Sequence, residues 1–256
     1  MKKAFGTIGP STGAVVAAVL WLAAQAASAQ FGQAPEPAGS PRDAAPIDLT
    51  GQWVSIVTED WRFRMVTAPK GDYPGVELNA AGRELADSWD PARDEAEGEE
   101  CKAYGAGGIM RMPGRIRVSW RDAATLEIET DAGRQTRVFH FSEVPGAGEP
   151  TRQGVSRAEW IAHGGGRGQA VVNGSLKVVT TGMKPGYLRK NGVPYSGEAV
   201  ITEYFDLLEH PDGSEWLVVK TIVEDPEYLA VPYIVSSNFR KEEDRRGWAP
   251  RPCSAR

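Results

Sequence analysis

After Gly114 the hydrophobic and polar positions of this chain alternate with a period of two. Ile116, Val118 and Trp120 interleave with Arg115, Arg117 and Ser119, and Leu126 and Ile128 with Glu127 and Glu129. Asp131-Ala132-Gly133 has the chemistry of a tight hairpin and leads into a strand over Gln135–Phe141. Further strands are predicted at Val155–Ala162, Ser175–Thr181, Ala199–Leu208, Trp216–Val223 and Tyr233–Phe239, with Pro211-Asp212-Gly213 turning the longest pair. With Trp53–Thr58 at the front the ladder has about nine strands. A sheet of that size protects its edges best by closing. The expected fold is therefore all-β, an antiparallel up-and-down barrel or strongly curled sheet with one short helix. That helix runs from an N-cap at Asn79 to Asp90 and stops at Pro91, with Leu85 and Trp89 on one face. The acidic run Asp94–Glu100 reads as solvated surface, because it lacks the Asp-x-Asp spacing of a calcium loop. Gly182–Gly197 reads as a loop long enough to cover a barrel mouth.

The N-terminal segment has a different character. Lys2 and Lys3 precede an apolar stretch from Gly13 to Ala24 and the small-x-small triplet Ala27-Ser28-Ala29. This pattern predicts a signal peptide over 1–29, cleavage before Gln30, and a periplasmic or secreted protein. A Pro/Ala-rich disordered tether over 30–47 is expected next, then a single barrel domain over 48–256. No later stretch approaches the ~20 apolar residues of a membrane helix, so no integral membrane segment is expected in the mature chain. Cys101 and Cys253 are an even count in an exported chain and predict a disulfide. With Lys2 and Lys3 removed, 27 of the 29 basic side chains face 34 acidic ones, a net charge of −7. That balance argues against nucleic acid as a partner. Nothing in the pattern specifies an oligomeric state.

Candidate chemistry is sparse. In Ala199–Leu208 a carboxylate falls on each face, so one of them points inward, either to orient a ligand or to close a salt bridge at the rim. The aromatic-basic segment 60–65 contains Trp61 and Arg64, and the Gly182–Gly197 loop contains Tyr187, Arg189 and Tyr195. Together with Glu203 these form a ligand-binding set: arginine to clamp an anionic group, aromatic rings for apolar area and hydroxyls. A small amphipathic molecule held in a barrel cavity is the leading expectation. The alternative is a hydrolase, lyase or isomerase using Glu203 or Glu224 with Arg189 and Tyr187, where two of the carboxylates Glu203, Glu224 and Asp225 could act across a cavity as acid and base. His163-Gly164-Gly165-Gly166 lacks the Gly-x-Ser-x-Gly elbow that an esterase would need. His140, His163 and His210 have no short-range ligand spacing, and no phosphate-cradling motif is present, so neither a metal nor a cofactor is expected.

Thr50-Gly51-Gln52-Trp53 resembles the opening of lipocalins, whose first strand begins Gly-x-Trp. The resemblance implies a Trp closing one barrel end beneath an arginine that follows the last strand, here Arg240. The segments Glu59-Asp60-Trp61-Arg62, Lys70-Gly71-Asp72-Tyr73, Tyr187-Leu188-Arg189-Lys190-Asn191-Gly192, Thr202-Glu203-Tyr204-Phe205 and Val223-Glu224-Asp225-Pro226 resemble an uncharacterised group of exported bacterial proteins. That resemblance implies export and a shared fold, and no reaction.

Overall fold

The computed structural model describes residues 39–144, 146, 148–164 and 173–256. The predicted leader, residues 30–38 of the expected tether, and Gly165 and Gly166 of the His163-Gly164-Gly165-Gly166 segment lie outside the described residues. The chain forms β1 (Gly51–Ile56), three short helices, then β2 (Arg115–Trp120), β3 (Thr125–Thr130), β4 (Thr136–His140), β5 (Val155–His163) and β6 (Asn173–Thr181). A small hairpin follows, β7 (Gly186–Arg189) and β8 (Val193–Tyr195), before β9 (Val200–Glu209), β10 (Glu215–Glu224) and β11 (Tyr233–Glu242). Nine strands close into a barrel in the order β1-β11-β10-β9-β6-β5-β4-β3-β2. The barrel neighbours pair antiparallel except β4 and β5, which run parallel and share only Phe139↔Ser156 and His140↔Arg157. A parallel pair needs a return crossover, which the chain between β4 and β5 supplies.

The alternating pattern fixes which side chains fill the barrel. Trp53, Val118, Leu126, Phe139, Leu176, Phe205, Leu217 and Phe239 are all 3% exposed or less and pack as one core. Phe139 and Phe205 meet edge to face at 5.6 Å. The lumen expected to hold a ligand is therefore occupied by inward side chains of the strands, which pack against one another as one core. Trp53 is fully buried, as its resemblance implied, and its indole N–H donates to the Leu49 carbonyl at 2.9 Å. The cation over its ring is Lys241 at 5.3 Å, a correction to Arg240. Register pairs Trp53 with Lys241 and Val54 with Arg240, so Arg240 lies on the outer, exposed face.

One barrel end is capped by the inserted segments. Helix α1 (Trp61–Arg64) is a single turn, and α2 (Ala80–Asp87) is capped by Asn79, whose Oδ1 accepts from the Gly82 N–H at 2.9 Å. That helix ends at Asp87 with Ser88 as its C-cap, short of the expected Asp90, and Pro91 does not stop it. Pro91 instead opens α3 (Pro91–Ala96) at a first-turn position where a missing N–H costs nothing, with Asp90 as N-cap. The segment expected as a covering loop is the β7–β8 hairpin, and Leu188, Val193 and Tyr195 are 0–1% exposed in a second core with Tyr73, Val76 and Val223. It is a buried plug because its alternate residues are apolar and meet the cap helices. Gly192, at φ +83°, lets the turn pass the Trp89 side chain, where a Cβ would approach to 2.3 Å.

Cys101 and Cys253 are bonded, with Cα atoms 5.1 Å apart, and join the cap to the C-terminal tail. Within the segment expected as a tether, residues 41–47 contact the barrel. The Pro41 carbonyl accepts from the Trp160 indole at 2.8 Å, Arg42 N–H bonds the Ala123 carbonyl, and Ile47 packs on the barrel core. These contacts outweigh the ordering cost that a Pro/Ala-rich segment alone would not meet.

Candidate functional site

The polar chemistry of the molecule concentrates at the capped end. Asp60, with a left-handed φ of +51°, turns the chain after β1 into α1 and directs Arg64 inward. The turn of 3-10 helix at Ile109–Arg111 brings in Arg111, β7 brings in Arg189, and the start of β11 brings in Tyr233. The three arginine side chains are 0%, 6% and 3% exposed. Arg64 pairs with Glu59 and donates Nε–H to the Arg111 carbonyl at 2.9 Å. Arg111 and Arg189 both face Asp60 Oδ2, at 3.2 and 3.7 Å. Arg189 donates to the Pro74 carbonyl at 2.8 Å and lies over the Phe63 ring at 4.5 Å. Arg111 and Arg189 flank the Tyr233 ring, at 5.9 and 5.7 Å.

Burial, then the neighbouring Arg111 charge, lowers the Arg64 pKa against the opposing pull of Glu59. The guanidinium still carries its charge, because arginine ionises far above neutral pH. Among the described residues, Arg64 Nη2, Arg111 Nη1, Arg189 Nε and the Tyr233 hydroxyl have no hydrogen-bond partner. Buried donors are ordinarily satisfied, so four in one cluster mark a place built to meet acceptors.

Beside the cluster lies a cleft of about 440 Å³, between the α1 segment and the tail that the disulfide holds. Its lining includes Arg64, Lys190, Arg251 and Arg256, together with Phe63 and Tyr104, and no aspartate or glutamate. Met65 and Val66 line it while remaining 59% and 62% exposed, and Trp61, one turn before Met65, is 62% exposed.

Of the residues expected to bind a ligand, the fold brings Trp61, Arg64 and Arg189 to this end together. Tyr195 is fully buried in the cap core, where glycines at 105, 107 and 186 make room for its ring and hydroxyl. Tyr187 is also in the cap and donates its hydroxyl to Asp94 at 2.9 Å. Asp94 is itself 1% exposed and paired with Lys102, so the acidic run is not wholly solvated. Glu203 points into the barrel, 0% exposed, and forms a two-pronged pair with Arg137 at 2.9 and 2.6 Å. Glu224 lies on the outer face and is exposed, and register sets Glu203 opposite Thr221 and Glu224 opposite Val200. The two carboxylates are thus on opposite sides of the sheet and share no pocket, which removes the geometry that paired acid–base work requires. Asp225 is buried and accepts from the Ser196 N–H and hydroxyl at 2.7 and 2.8 Å, a role in fastening the cap.

Sequence reasoning missed Arg111, Asp60 and Tyr233. The available signal was an arginine within the apolar run Ile109-Met110-Arg111-Met112, a setting that demands a buried partner. It also missed a chain of hydroxyl bonds on the outer wall, where Ser175 Oγ contacts both His163 Nε2, at 2.8 Å, and Asp206. There the serine sits between the other two groups, whereas a nucleophilic triad places the histidine in the middle.

The fold and site define a closed nine-stranded β-barrel with a disulfide-tied, arginine-rich cap at one end. Comparison with protein-family models, with curated proteins and with solved structures finds no match.

Proposed function

We propose that this chain is an exported periplasmic protein that binds a small amphipathic anion, in the cleft at the capped end rather than in the barrel lumen. The observation that carries this reading is the lining of the cleft: four cationic residues and no carboxylate side chain, bordered by exposed apolar side chains at 65 and 66. Such a surface favours a ligand with one negative group and an apolar body. The disulfide supports an oxidising compartment, and no described helix is long and apolar enough to cross a membrane.

Native mass spectrometry of protein recovered from the periplasm tests the proposal. The expected result is a mature chain beginning at Gln30 that carries, or takes up on titration, a small acidic amphiphile released on denaturation. A chain that stays in the cytoplasm would refute the export reading. A chain that binds no acidic amphiphile at millimolar concentration would refute the binding reading.

A further inference from the structure

The arginine cluster has one more cation than it has carboxylates. Arg64, Arg111 and Arg189 are each more than nine-tenths buried, yet the acidic groups paired with them are Glu59 and Asp60 alone. Each guanidinium retains an unpartnered N–H donor among the described residues, and the hydroxyl of Tyr233, whose ring two of them flank, is unpartnered too. A cluster serving only to anchor the α1 segment would not need the spare donors, since buried polar groups are ordinarily matched. Arg64 also belongs to the lining of the cleft, so the cluster and the cleft adjoin. Of the two acidic occupants Asp60 is the more exposed, at 36% against 25% for Glu59. It is held in a left-handed conformation that a residue with a Cβ adopts reluctantly.

We propose that the Arg64–Arg111–Arg189–Tyr233 cluster is the head-group subsite of the cleft and takes a ligand carboxylate in exchange for the carboxylate of Asp60. This deepens the amphipathic-anion reading and rests on it. A carboxylate matches the forked edge of a guanidinium, and one not tied to the backbone can turn to meet the donors that Asp60 leaves unpartnered. The exchange releases Asp60 to water and frees its backbone from the left-handed region. Burial of the ligand's apolar body along Phe63, Met65 and Val66 supplies the drive.

The test is isothermal titration calorimetry of the disulfide-bonded protein with decanoate and with decan-1-ol, which differ in the charged head group. Decanoate is expected to bind at least about tenfold more tightly, the equivalent of one well-made charge contact. Asp60→Asn, which removes the competing charge, is expected to tighten decanoate binding by about tenfold. Arg111→Gln is expected to erase the preference for decanoate over the alcohol. If that variant loses its native circular dichroism, Tyr233→Phe removes one donor hydroxyl alone and is expected to weaken decanoate several-fold. Equal binding of decanoate and decan-1-ol overturns the subsite while leaving the cleft reading intact. So does an Asp60→Asn variant that binds decanoate no better than the native chain. Binding of neither probe overturns the cleft reading, and the subsite falls with it.

Discussion

Replacing Glu203 by glutamine isolates the electrostatics of the barrel interior, since the side chain keeps its shape and loses its charge. Glu203 and Arg137 are both 0% exposed and joined by two hydrogen bonds, at 2.9 and 2.6 Å. Arg137 also donates to Thr180 Oγ1 at 3.3 Å, and that hydroxyl is shared with Ser156 at 2.8 Å. In Glu203→Gln the guanidinium stays in the core with only neutral acceptors, and removing one partner of such a pair costs about 3–5 kcal/mol. For a domain of this size each kcal/mol moves Tm by about 2–4 °C, so the variant should melt about 6–20 °C lower. The double variant Arg137→Met/Glu203→Leu removes both charges and the unpartnered Arg137 Nε with them. It should recover most of that loss, because well-packed apolar replacements of a buried pair are commonly neutral or stabilising. Thermal and urea unfolding followed by circular dichroism, with the disulfide intact, measures the cycle. A loss below about 1 kcal/mol in Glu203→Gln would show that the charge is not desolvated as the geometry requires. A double variant as unstable as the single one would show that packing, and not charge pairing, sets the cost.

Two further outcomes follow from other parts of the molecule. Burial pushes the Tyr195 hydroxyl up to about 12, against smaller opposing effects of Arg152 and Arg137, so the folded chain keeps its proton where an unfolded tyrosine has lost it. The stabilisation from this group is complete below about pH 10 and is lost as pH rises toward 12, a fall of about 3 kcal/mol. Urea unfolding from pH 8 to 11 should show about the first half of this decline, reduced in Tyr195→Phe, and an unchanged slope in the variant would refute the assignment. Reduction of the Cys101–Cys253 bond, which spans 152 residues, should cost up to about 5 kcal/mol by the chain-entropy estimate. It should also weaken any ligand held between α1 and the tail, read by repeating the calorimetry in the presence of a reductant.

Much of the barrel was legible because a strand displays its environment locally. Ile116, Val118 and Trp120 alternate with polar neighbours because successive side chains of a strand face opposite sides, and nothing distant is needed to see it. The turn at Asp131-Ala132-Gly133 was visible for the same reason, and Gly133 has φ +73° there. The disulfide was legible from an even cysteine count beside a leader-like N-terminal pattern. The parallel contact of β4 with β5 was hidden, since it rests on two residue pairs brought together by a crossover with no pattern of its own. The assignment of Arg240 failed by one residue because strand parity relative to Trp53 depends on a register set across the sheet.

The site was less legible than the fold. Trp61, Arg64 and Arg189 stood out as side-chain types suited to binding, yet only assembly decides whether such residues meet. Residues 64, 111 and 189 come from a helical turn, a 3-10 turn and a hairpin strand, and their charges converge because the cap folds back over one barrel end. Glu203 and Glu224 belong to adjacent strands, and the same closure sends one into the core and the other to solvent. Local alternation and turn chemistry are written along the chain and determined the β ladder and its hairpins, and an even cysteine count determined the pairing. Which lumen is filled, which carboxylate finds an arginine and which three guanidiniums share two acids are long-range questions of packing and desolvation. The tertiary structure alone decided them, because the energy of a buried charge depends on neighbours that the sequence does not place side by side.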